Sequence, residues 1–149
     1  MTRSLHRDIV WRQKETVKLI NLYGREVKVN PSKYLIDWDR TVSKPQKQVK
    51  DSLFQIWAAD YVCEEFCIPG SKMRIDLINF SKKVAVEVSP KGSHKYNEFF
   101  NKNRENYLRA TKRDISKAEW CEKNGFRFVE IKDQDLKEGR ILSKVLEQD

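Results

Sequence analysis

Two apolar runs meet across a three-residue turn in the stretch KMRIDLINFSKKVAVEVS, residues 72–89. This constrains the fold more than any other part of the chain. Both runs alternate and are rich in β-branched residues, and Ser81, Lys82 and Lys83 separate them, so the stretch reads as an antiparallel hairpin. Side chains alternate across a strand. Val84, Val86 and Val88 therefore share one face, while Ala85, Glu87 and Ser89 share the other. By the same parity Met73, Ile75 and Leu77 fall together, opposite Arg74, Asp76 and Ile78. Asp76 and Glu87 then lie on a common face of the hairpin, close enough to hold one cation. A carboxylate in a strand interior needs such a partner, an ion pair or an open cleft, because burying it alone is costly.

The surrounding sequence supplies the flanking elements. Ser43 can cap a helix with Pro45 in its first turn, and Val49, Leu53, Ile56, Trp57 and Tyr61 recur at helical spacing, predicting an amphipathic helix to about Tyr61. EEFCIPG reads as a short strand closed by Pro69-Gly70. After the hairpin, Tyr96, Phe99, Phe100, Tyr107 and Leu108 mark a helix continuing into a segment with Ile115, Ala118 and Cys121. Asn124-Gly125 stops it, FRFVEI is a fourth strand, and a short helix follows from about Asp135. The order is helix, three strands, helix, strand, which predicts an α/β sheet flanked by helices over residues 45–149. Residues 1–44 read as an ancillary segment of the same compact domain. REVKVN is a short strand there, Asn30-Pro31-Ser32 a turn, and Trp11 and Trp38 are anchors onto the main body.

A chain of 149 residues is long enough to bury a core without disulfides or a structural metal. Its 30 basic and 22 acidic residues give a net charge of +8, which favours a polyanionic partner, nucleic acid ahead of a membrane surface. No apolar run is long enough to span a bilayer. The odd set Cys63, Cys67 and Cys121, with no apolar leader at the N-terminus, suits a reducing cytoplasm, and the paired short spacings of structural zinc are missing.

Two converging carboxylates suit Mg²⁺, a hard ion that takes one or two protein carboxylates, keeps several waters and completes its shell with phosphate oxygens. Such an ion supports phosphodiester hydrolysis. The competing reading is a solvent-facing hairpin in which the acids pair with Arg74 or Lys83.

The run Arg74-Ile75-Asp76, then Val86-Glu87-Val88-Ser89, with Lys91 and His94 following, resembles the catalytic core of the PD-(D/E)XK nuclease superfamily. Over residues 47–131 the stretches EEFCIPG, KKVAVEVSPKGSH and RDISKAEWCEKNGFRFVEI are similar to small phage and homing-endonuclease-type members. The resemblance implies a restriction-endonuclease-like core, a mixed central sheet flanked by helices. It implies a DNA endonuclease dependent on Mg²⁺, with Mn²⁺ able to substitute, of homing or junction-resolving type. A homodimer would cut both strands, and the setting is the cytoplasm, a bacterial host's if phage-encoded.

Under this resemblance Asp76 and Glu87 are the catalytic, metal-binding acids. Ser89 stands where the family carries its lysine or glutamine, and Lys91 is the leading candidate to supply the missing charge, with Lys117 the second. The third acid is open among Asp51, Glu64 and Glu65; Glu65 is favoured as a metal ligand, and Glu64 reads as a surface acid. His94 is either a base or a phosphate contact. His94, Lys95, Arg104, Arg109, Lys112, Arg113 and Lys117 form a basic set able to track a DNA backbone. The alternative is a non-catalytic nucleic-acid-binding module on the same scaffold that has lost its lysine at position 89.

Overall fold

The computed structural model describes residues 16–89 and 112–147. A small hairpin comes first, β1 (Val17–Ile20) and β2 (Glu26–Val29), paired antiparallel from Val17↔Val29 to Ile20↔Glu26. A 3-10 turn over Pro31–Tyr34 follows, opened by the Asn30 side chain accepting from the Ser32 amide. Helix α1 spans Lys44–Trp57. Ser43 caps it as expected, its Oγ accepting from the Gln46 amide, and Pro45 occupies the first turn, where its missing N–H leaves nothing unpaired.

The main sheet has four strands: β3 (Val62–Cys67), β4 (Arg74–Asn79), β5 (Val84–Ser89) and β6 (Arg127–Lys132), in that spatial order. The first three run antiparallel through short turns, and β6 lies parallel to β5 in the register Val84↔Arg127 to Ser89↔Lys132. A parallel neighbour requires a crossover connection, and the described end of that crossover is helix α2, residues 112–123. It stops at Asn124-Gly125, where Gly125 takes φ of 78° and the Phe126 amide reaches back to the Cys121 carbonyl. The result is an α/β fold with a mixed four-stranded sheet, a two-stranded sheet and flanking helices.

Apolar residues cover the main sheet in two clusters. Val49, Leu53 and Trp57 of α1 pack with Leu77, Val86 and Ile131. Two short helices join that side: α3 (Asp133–Lys137), and α4 (Ile141–Leu146), which contributes Ile141 and Val145. The other cluster brings Trp120 and Cys121 of α2 and Leu19 of β1 onto Cys63, Ile78 and Ala85. Trp120 stacks on Phe126 and donates its Nε1–H to the Ile20 carbonyl at 2.7 Å, tying the small hairpin to α2.

Several expectations need correction. Residues 16–44 contribute more than anchors to the core: Trp38 is buried there as expected, Leu19 and Ile36 join it, the Ile36 amide bonds the Val62 carbonyl, and Leu35 bridges to Cys63. The lack of a clear period there hid elements too short to show one. Helix α1 ends at Trp57, four residues before Tyr61, because Ala58 to Asp60 turn the chain into β3. The C-terminal helix is two helices broken at Gly139, φ 64°. On β4, Leu77 faces the α1 side, yet Ile75 and Met73 pack with the α2 cluster. Simple alternation fails there because Glu65, in the neighbouring strand, adopts a left-handed φ of 50° and interrupts the β3–β4 ladder between Glu64↔Leu77 and Phe66↔Ile75. Phe66 turns to the α2 cluster with Ile75.

Candidate active site

The ladders place acids in one row. Continuing Leu77↔Val86 by one residue sets Asp76 opposite Glu87, and the break in β3 sets Glu65 opposite Asp76. At this row the β4–β5 contact is made by carboxylates. The Asp76 amide donates to Glu87 Oε2 at 3.1 Å, and the Val88 amide donates to Asp76 Oδ2 at 2.8 Å. Each acid is thereby fixed by the other strand's backbone. The two lie together as expected, although alternation on β4 fails at the neighbouring Ile75.

Their cationic partner comes from α2. Lys117 Nζ donates to Glu87 Oε1 at 2.9 Å, and both side chains are largely buried. Among the described residues neither Arg74 nor Lys83 pairs with these acids; Lys83 lies over the Phe126 ring instead. Lys117 sits one turn before Trp120 and Cys121, which pack on the sheet, so the buried face of α2 carries the ammonium to the acids.

Among the described residues one ammonium faces two carboxylates, which leaves their negative charge poorly compensated. Burial, then the charge of Glu87, and more weakly that of Glu65, push the Asp76 carboxyl up to about 7 against the opposing effects of the Val88 amide and Lys117. Burial also raises Glu87, with Asp114 adding to it, while Lys117 and the Asp76 amide pull the other way. The pair is therefore set to share a proton or to accept a further cation.

The donor set fits a divalent ion held by two carboxylates. Asp76 Oδ1 has no hydrogen-bond partner among the described residues, and the charge that keeps Asp76 partly protonated is what a hard dication offsets. A full protein cage is not formed: among the described residues no three His, Cys, Asp or Glu side chains converge. Mg²⁺ in particular suits such a site, since it retains water and takes phosphate oxygens.

The other expected residues divide clearly. Glu65 keeps its place in the row and is felt by Asp76, but its Oε2 accepts from Gln46 Nε2 at 3.4 Å. Glu64 is no surface acid: it is buried and paired with Lys50, Nζ to Oε1 2.6 Å, and its Oε2 accepts from the Asp37 amide. Lys50 is fully buried and also donates to the Asp37 and Arg40 carbonyls. Asp51 is exposed and paired with Lys47 on α1. Ser89 ends β5 beside Lys132 and is half-buried. Lys112 and Arg113 are exposed at the described start of α2. Lys91, His94, Lys95, Arg104 and Arg109, with Trp11, lie outside the described residues.

Beside the acids, Lys72, Met73, Arg113, Asp114 and Lys117 line an open groove. Lys72 was not singled out from the sequence, where its place at a strand start carries no pattern. Lys50 did leave a signal: it shares the helical spacing of Gln46, Val49, Leu53 and Trp57, all on the buried face of α1. Cys63 and Cys121 are buried free thiols, both pushed up chiefly by burial, and Cys67 is half-buried.

The fold and this site define an α/β domain presenting a carboxylate pair and a lysine at the edge of a basic groove. Comparison with family models, with curated proteins and with solved structures finds no match for the chain. No described helix is long and apolar enough to cross a membrane.

Proposed function

We propose that the chain is a metal-dependent DNA endonuclease with a restriction-endonuclease-like core, hydrolysing a phosphodiester bond at the Asp76–Glu87 pair. The observation that carries this reading is the 2.9 Å contact of Lys117 with Glu87 beside Asp76, which assembles two acids and an ammonium although position 89 is serine. The order α1, β3–β5, α2, β6 supports it, since it is the order implied by the resemblance of the RID and EVS motifs.

Asp76 and Glu87 would hold Mg²⁺ or Mn²⁺. When bound, the ion polarises the phosphate and lowers the pKa of a coordinated water. Asp76 would offer the ion its Oδ1, while the Val88 amide orients Oδ2. Glu87 keeps its orientation through the Asp76 amide. Lys117, held in place by Glu87, would face the negative charge that grows on the phosphate, the role of a preorganised cation in a largely buried site. Lys72 and Arg113 in the adjoining groove attract and place the backbone of the nucleic acid. With one such centre among the described residues, cutting both strands calls for a homodimer.

The test is cleavage of labelled linear and branched DNA during Mg²⁺ or Mn²⁺ titration, comparing the wild type with Asp76→Ala and Glu87→Ala. Cleavage that needs the ion and both acids supports the proposal. Salt-sensitive DNA binding without cleavage under any divalent ion would replace it with the binding-only reading.

A further inference from the structure

The second groove and the hairpin beside it carry an inference that rests on the proposed nuclease reading. The β1–β2 turn ends in Tyr23, 77% exposed, the most exposed of the large apolar side chains described. An exposed aromatic is unremarkable on a mobile loop, but this turn is tightly held. Asn21 Oδ1 accepts from the amides of Tyr23 and Arg25, the Gly24 amide bonds the Asn21 carbonyl, and the Leu22 amide bonds the Pro69 carbonyl. The ring also lies close to Gly70, where an added Cβ would come within 3.3 Å of Cδ2 and Cε2. The phenol is thus supported from behind and open on its other side.

The same β3–β4 turn, residues 68–73, joins this tip to the acids. Pro69 and Gly70 meet the hairpin, while Lys72 and Met73 line the groove that contains Lys117. On the hairpin side, Pro69, Gly70 and Ser71 close a separate groove with Lys28 and Lys33. Arg25, Lys28, Lys33, Lys72 and Arg74 are all exposed along this path. Glu26, the one exposed acid of the hairpin, is taken up by Lys18.

The geometry points to this tip as a base-stacking contact for DNA whose helical stack is interrupted near the scissile phosphate, at a branch, nick or frayed end. Exposed cations call for phosphates, and an open ring on a turn whose backbone is held calls for a planar partner. Continuous duplex offers the first but encloses its base faces. Interrupted DNA offers both, so Tyr23 discriminates substrate structure while Asp76 and Glu87 cleave.

The test uses full-length protein carrying Glu87→Gln, so that DNA stays intact, with fluorescein-labelled branched, nicked and continuous duplexes of equal length. A 2-aminopurine placed at the branch reports stacking. Adding Tyr23→Ala is expected to weaken binding to branched and nicked DNA about tenfold, leave continuous duplex nearly unchanged and abolish the 2-aminopurine quenching, while Tyr23→Phe retains all three properties. Equal affinities with and without Tyr23, or the same loss on every DNA, overturn the inference. If wild type nevertheless cleaves DNA with Mg²⁺, the nuclease reading survives that result. Failure of the protein to bind any of these DNAs at low salt overturns both.

Discussion

Lys117 and Glu87 lie 30 residues apart in sequence, yet their charged atoms are 2.9 Å apart in a largely buried setting. The contact puts a cation where the adjacent strand offers only Ser89.

Lys117→Met is expected to lower single-turnover DNA cleavage by about 10²-fold or more, the usual scale for losing one preorganised electrostatic group. The methionine stem keeps the packing of α2 but leaves the buried Glu87 without its partner, so the variant should also melt lower than wild type. Cleavage rate together with thermal melting separates the two effects. A variant melting like wild type and cleaving at the wild-type rate would remove Lys117 from the chemistry.

Asp76 makes stability depend on pH in metal-free solution. Its folded carboxyl titrates at about 7, against an ordinary value of 3.8, so between these the folded state holds a proton that the unfolded chain has released. Stability therefore falls as pH rises across that window, and the loss is complete above the upper value. Asp76→Asn still accepts from the Val88 amide but cannot ionise. It is expected to melt higher than wild type at pH 8 in EDTA and to show a flatter profile from pH 4 to 7. Parallel profiles for the two proteins would refute the assignment.

Divalent ions should reverse that penalty. Mg²⁺ or Mn²⁺ is expected to raise the melting temperature of the wild type at pH 7, with release of protons measurable in weak buffer. Asp76→Asn and Glu87→Gln should lose most of the stabilisation. An equal rise in all three proteins would place the ion elsewhere.

Lys50→Met should destabilise the fold by about 3–5 kcal/mol, since it leaves Glu64 buried without its partner. Lys50→Met combined with Glu64→Leu should recover part of the loss, leaving the Asp37 amide and two carbonyls unpaired. Chemical denaturation of the single and double variants measures both numbers. A double variant less stable than Lys50→Met alone would contradict the account.

The elements framing the site were legible because they announce themselves locally. Ser43 and Pro45 start α1, Asn124-Gly125 ends α2, and the valines of β5 alternate as written. The parity that paired Asp76 with Glu87 also depends only on neighbours along each strand. Glu64 was misread because its partner lies 14 residues away on a helix, and no local pattern tells a buried acid from a surface one. Ile75 and Met73 escaped alternation through the backbone of Glu65 in another strand, which their own residues do not encode. Lys91 was the leading candidate by sequence and Lys117 the second, since helix packing in three dimensions, not spacing, sets which ammonium comes near. Lys117 reaches Glu87, and Lys91 lies outside the described residues.

Two kinds of negative charge thus coexist within a few residues of one another in this sheet. At Glu64 one lysine and one amide answer a single carboxylate, both oxygens are engaged, and nothing is left to attract a visitor. One row along, a single lysine among the described residues answers two carboxylates held by each other's strands. The first arrangement is electrically closed and serves only the fold. The second has an unfilled valence for positive charge, on a protein whose surplus of positive charge is spread elsewhere along the chain.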